Sequence, residues 1–161
     1  MLEQKLYYTL LDVCWIYALF KGGIPERMGT SILALASALT VAALSSPATV
    51  YISIESGVFV VDLACFTAFL VLALRANRYW PLWIAGLQLI GTSAHAVKLA
   101  YPEVIPKAYA FVTVFWGYPM LLILVLGTFR HQQRLARFGV DRSWSSSWGR
   151  SGQTPRDGPT D

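Results

Sequence analysis

Apolar residues fall in five long runs along the chain, at residues 2–20, 28–50, 57–74, 79–99 and 108–129. Each is too long for a strand and close to the roughly 20 residues that a helix needs to cross a hydrocarbon core about 30 Å thick. The pattern predicts an all-α fold, a polytopic transmembrane helical bundle of five spans with short loops. Four spans is the alternative, because Asp12 falls inside the first run and an acidic side chain at mid-membrane costs about 2.5–3.5 kcal/mol on insertion scales.

The connections fit helical hairpins. In "KGGIPERMG", Gly22 and Gly23 suit a helix C-terminus, Pro25 suits a first turn and Glu26 suits the positive end of the next helix. In "RANRYWP", Arg75 and Arg78 are expected among headgroups, with Tyr79 and Trp80 as interfacial anchors. After Phe129 the character changes: residues 130–138 can continue as a basic juxtamembrane helix attracted to anionic lipid headgroups. Residues 139–161, rich in Ser, Gly, Pro and Asp, read as a disordered tail carrying Trp144 and Trp148. The domain organisation is therefore one helical domain over 1–138 followed by that tail.

Composition agrees with lipid as the solvent. The 161 residues are 55% hydrophobic and 14% charged, with mean hydropathy +0.49, where a soluble domain carries about 25% charged residues. The first run lacks a basic n-region and a small-x-small cleavage site, so a retained span is expected rather than a signal peptide. Cys14 and Cys65 both fall inside runs, which suits packing residues better than a disulfide. The net charge of +4 does not imply nucleic acid, because the basic residues flank the runs. With five spans, Lys21, Arg27, Arg75, Arg78 and every basic residue from Arg130 onward share one side, leaving Lys5, Lys98 and Lys107 on the other. The positive-inside rule then puts the C-terminus in the cytoplasm and the N-terminus outside.

Polar residues inside the runs supply the candidate chemistry. On the fourth helix Gln88, Thr92 and His95 are spaced by four and three, on one face, while Lys98 lies near enough to the end to snorkel outward. Counting 1.5 Å per residue from the intervening turn, Asp62 on the third helix and His95 lie within about one turn of the same height, so carboxylate and imidazole are expected to meet. Asp12 is expected either to face the same polar stripe or to be buried and protonated. The candidate intramembrane cluster is Asp12, Asp62, Gln88, Thr92 and His95. Its bland reading is a set of interhelical ties of about 0.6 kcal/mol each; its sharper reading is a proton relay or ligand pocket. One imidazole and two carboxylates carry no metal-ligand spacing signature, and His131 lies on the opposite side, so no metal and no cofactor is expected. In "FWGYPMLL", Gly117 and Pro119 predict a helix kink in mid-span, with Trp116 and Tyr118 as packing residues.

The landmarks "KGGIPER", "VDLACF", "RYWPLWIAGLQL", "HAVKL" and "GYPMLL" resemble those of a family of small, uncharacterised bacterial inner-membrane proteins, over most of residues 10–130. The resemblance implies a multi-pass protein of the bacterial inner membrane and brings no activity or catalytic residue. With no phosphate-binding loop or metal motif in the sequence, the leading expectation is a non-enzymatic accessory or interaction subunit whose partners are the lipid bilayer and other membrane proteins. A proton-responsive transporter or sensor built on the Asp/His cluster is the alternative, since histidine titrates near neutral pH. A lipid-modifying enzyme embedded in the membrane is third, because no nucleophile accompanies the acid-base pair. No internal repeat of the inverted transporter kind is visible.

Overall fold

A computed structural model describes residues 2–43, 56–101 and 115–144. They form five α-helices: α1 Leu2–Lys21, α2 Ile24–Ala43, α3 Ser56–Arg75, α4 Trp80–Ala100 and α5 Gly117–Phe138. No strand occurs among the described residues. Residues 44–50 of the second run, 108–114 of the fifth, and 145–161 with Trp148 lie outside them.

Each helix packs on its neighbour in sequence from α1 to α4, and α5 closes the bundle by lying against α1, α4 and α2. The buried positions explain this arrangement. On α2 they include Glu26, Gly29, Thr30 and Leu33; on α5, Leu121, Leu124, Thr128 and His131. On α4 they include Ile84, Gln88, Gly91, His95 and Lys98. Spacings of three and four put each set on one helical stripe, which must face a partner. Thr30 and Thr128 satisfy their buried hydroxyls on the backbone oxygen four residues earlier, at Glu26 and Leu124.

Helix α1 runs along the bundle as an integral member. Its Tyr7 hydroxyl lies 3.4 Å from Ser37 Oγ near the far end of α2, and its ring meets Tyr118 edge-on. At the opposite end Gln132 of α5 donates to the carbonyl of Lys21. Gly117 permits the approach of Tyr7, since a Cβ there would lie 2.8 Å from the Tyr7 ring.

The kink expected at Gly117 and Pro119 falls beside a break in the helix, and residues 108–114, which precede it in the fifth run, lie outside the described ones. Phe115 is helical, Trp116 is a turn, and α5 starts at Gly117. Pro119 therefore sits in the first turn, where its missing amide costs nothing, and the carbonyl its ring would strike is that of Phe115, just before the break. Helix α5 then continues to Phe138 and ends on Gly139 in the left-handed conformation, φ 69°.

Residues 139–144, expected to belong to a disordered tail, are ordered, and residues 145–161 lie outside the described ones. Residues 139–144 fold back on the α3–α4 turn: Asn77 N–H donates to Ser143 O at 3.1 Å, and Ala76 and Trp144 form an isolated antiparallel bridge. The α1–α2 turn, the α3–α4 turn and the segment after α5 thus meet at one end of the bundle.

Among the described residues only α3 is long and apolar enough to cross a membrane by composition, with mean hydropathy 2.4. The others carry polar groups within their lengths, among them Asp12 on α1, Glu26 and Arg27 on α2, Gln88 and His95 on α4, and the basic half of α5.

Candidate functional site

Helices α3 and α4 are antiparallel neighbours joined by a four-residue turn, so residues at matched distances from that turn face each other. Asp62 and His95 are such a pair. His95 Nε2 lies 2.9 Å from Asp62 Oδ2, and Gln88 Nε2 donates to Asp62 Oδ1 at 3.2 Å and more weakly to its backbone carbonyl at 3.4 Å. His95 is 3% exposed and the Asp62 side chain 22%, so the carboxylate retains a path to the surface while the imidazole does not. Phe59, one turn before Asp62, places its ring 5.7 Å from the imidazole. With Asp62 ionised, Nε2 carries the proton it shares with the carboxylate.

Two of the expected cluster members do not join this contact. Thr92 is buried on the same face, but its hydroxyl donates to Gln88 O at 2.8 Å on its own helix. Asp12 is exposed: α1 packs through Leu11, Cys14 and Ala18, a stripe spaced by three and four that turns position 12 outward, and its neighbours are α2 and α5 rather than α4. Asp12 makes no hydrogen bond or ion pair with another described residue. The expectations that it faces the polar stripe of α4 or is buried within the fold are thereby corrected. Lys98 is likewise not at the surface: it is 3% exposed, on the same stripe as His95. Among the described residues no three His, Cys, Asp or Glu side chains converge as a metal ion requires.

If the Asp62–His95 contact carries the local stability, His95→Ala and Asp62→Asn should each lower the unfolding free energy of the detergent-solubilised protein by about 1–3 kcal/mol. The double variant should then lose less than the two single losses together, by more than about 0.5 kcal/mol. Strictly additive losses in thermal or denaturant unfolding would show that the two side chains act independently.

A second constellation, at the loop end, was not legible as a unit. Arg78 Nε lies 3.3 Å from Glu26 Oε1 and its Nη2 2.5 Å from Asp141 Oδ2, while its Nη1 donates to the carbonyls of Asn77 and Arg142. Trp80 Nε1 donates to the same Glu26 oxygen at 3.1 Å. His131 Nδ1 and Arg134 Nε reach Asp141 at 2.6 and 3.0 Å. Burial pushes the Asp141 carboxyl up, but the hydrogen bonds from His131 and Arg134 and the charges of Arg78 and Arg134 outweigh it and hold the group below its ordinary range. Arg78 and Trp80 were expected at an interface with headgroups; both are buried, at 8% exposure each, because Glu26 offers an acceptor inside the bundle. The one sequence signal was Glu26 three residues before Gly29, a stripe position that a merely solvated charge would avoid.

Trp80 is held by two glycines. A Cβ at Gly29 would lie 2.5 Å from Trp80 Cη2, and one at Gly127 would lie 2.9 Å from Trp80 Cδ1. The indole of α4 thus lies between the backbones of α2 and α5, and only residues without side chains leave room for it. Compared with the models of known protein families, with curated proteins and with solved structures, the chain matches none.

Proposed function

We propose that the chain is a multi-pass protein of the bacterial inner membrane, with its C-terminus cytoplasmic, that works as a non-enzymatic accessory or interaction subunit. Several features support the membrane setting. Only 17% of the apolar stretch of α3 is buried inside the fold, so its apolar surface faces outward, unlike that of a soluble core helix. Large apolar side chains are exposed on every helix, including Ile16, Leu35, Val60, Ile90 and Leu122, far more than isolated surface residues would explain. The basic residues of both turns and of the segment after α5 gather at the loop end, which is the cytoplasmic side by the positive-inside rule.

The observation that carries the interaction role is Asp12. It lies midway along α1 on an outward face with Trp15 and Ile16, and a carboxylate at that depth facing lipid is costly. A protein partner that covers it removes the cost. Leucine at this position separates the two surroundings. If a partner covers Asp12, Asp12→Leu should release that partner, seen as a loss of mass on native gels of gently solubilised membranes, with the variant still resistant to carbonate extraction. If Asp12 faces only lipid, Asp12→Leu should leave the particle size unchanged and raise its thermal stability, which would sink the interaction reading.

The Asp62–His95–Gln88 contact favours a second reading, a proton-responsive transporter or sensor, because it joins an imidazole to a partly accessible carboxylate inside a helix pair. Additive losses in the Asp62 and His95 variants would remove its support.

A further inference from the structure

Helices α2 and α3 do not close on each other along their whole length. Between them runs an open apolar groove of about 720 Å³, within the roughly 300–1,000 Å³ of small-molecule sites. Its lining includes Ala64 and Ala68, one turn apart on α3, and Met28 and Ile32 of α2. From Ala64 to Arg75 the helix rises about 16 Å, close to the ~15 Å of a single leaflet of a ~30 Å core. The groove ends at the loop end on Arg75 and Trp144.

That end is chemically distinct. Arg78 and Arg134 are bound to carboxylates and Arg27 donates to the Gly22 carbonyl, whereas Arg75 is exposed and makes no hydrogen bond or ion pair with another described residue. Trp144 is brought there by the backbone pairing of residues 143–144 with the α3–α4 turn. A tryptophan beside an exposed guanidinium at the mouth of an apolar trough matches the headgroup level of a membrane, where indoles concentrate and arginine binds phosphate.

We infer that the α2–α3 groove holds one acyl chain of an anionic glycerophospholipid from the cytoplasmic leaflet, with its phosphate on Arg75 and the Trp144 indole beside the glycerol region. The occupant follows from charge complementarity: the groove is apolar along its length and cationic only at its mouth, so neither a polar peptide nor a free anion satisfies both parts. The inference rests on the membrane reading above.

The test is native mass spectrometry of the full-length protein in detergent, with phosphatidylglycerol, phosphatidylcholine or inorganic phosphate added. One phosphatidylglycerol per chain should be retained at collision energies that strip phosphatidylcholine, and inorganic phosphate should not bind. Arg75→Gln should reduce retention at least fivefold, as should Ala68→Trp, which fills the groove while leaving Arg75 in place. Arg130→Gln, an exposed basic control outside the groove, should change it less than twofold. Equal losses from Arg75→Gln and Arg130→Gln would indicate diffuse attraction to the basic end and overturn the site. So would undiminished retention in a folded Ala68→Trp protein, or phosphate binding as tight as the lipid. Should Ala68→Trp not fold, Arg75→Gln against Arg130→Gln still decides. A chain that stays soluble and monodisperse without detergent would instead overturn the membrane reading, whereas one that needs detergent and retains no phosphatidylglycerol would overturn the groove alone.

Discussion

Replacing Arg78 with Ala should lower the stability of the protein by about 3–5 kcal/mol, the cost of removing one partner from a buried ion pair. Arg78 lies between two carboxylates, Glu26 and Asp141, whose side chains are 0% and 6% exposed, and truncation leaves both buried without their shared cation. It also frees the carbonyls of Asn77 and Arg142. Arg78→Lys should rescue little, because a single ammonium cannot serve acceptors arranged around a planar guanidinium. Arg134→Ala is the comparison: its side chain is 36% exposed, so the loss should stay within about 1 kcal/mol. Thermal unfolding in detergent separates the two, and an Arg78→Ala protein no less stable than Arg134→Ala would refute the central role of the guanidinium.

Acid should weaken the same network in a definite window. The Asp141 carboxyl is held below its ordinary value of 3.8. Its contribution is therefore fully present above that value and is lost as pH falls through the lower folded-state pKa. Asp141→Asn should remove this part of the acid sensitivity while leaving behaviour at neutral pH dominated by the lost hydrogen bonds.

Gly29→Ala should destabilise by about 1–3 kcal/mol through overpacking, and the sign itself is diagnostic. In an uncrowded helix interior, Gly→Ala stabilises by about 0.5–1 kcal/mol. Here the added methyl would meet the Trp80 ring at 2.5 Å, so either the helix or the indole must move. Moving the indole endangers its bond to Glu26, which already has one carboxylate oxygen without a hydrogen-bond partner among the described residues. Combined with Trp80→Phe, which shortens the ring, Gly29→Ala should cost less than the two single losses together. A stabilised Gly29→Ala variant would show that the indole is not gripped.

Local chemistry alone determined the helical class, the approximate bounds of α1, α3 and α4, and the two tight turns. Apolar runs near 20 residues have few ways to satisfy their backbone other than helices, and Gly22, Gly23 and Pro25 mark where one helix stops and the next starts. The height match of Asp62 and His95 was legible too, because a four-residue turn forces antiparallel neighbours into register. Tertiary packing alone decided the rest. Which way Asp12 points depends on which stripe of α1 its neighbours cover, and apolar residues all round that helix left no preferred face. The joining of Glu26, Arg78, Trp80, His131 and Asp141 depends on three segments up to 115 residues apart meeting at one end of the bundle. A headgroup arginine and a buried one look alike in sequence, because burial is set by whether another helix offers a carboxylate. The return of residues 139–144 onto the α3–α4 turn followed from the same cause: a polar segment orders when Arg78, His131 and Arg134 give Asp141 partners inside the fold.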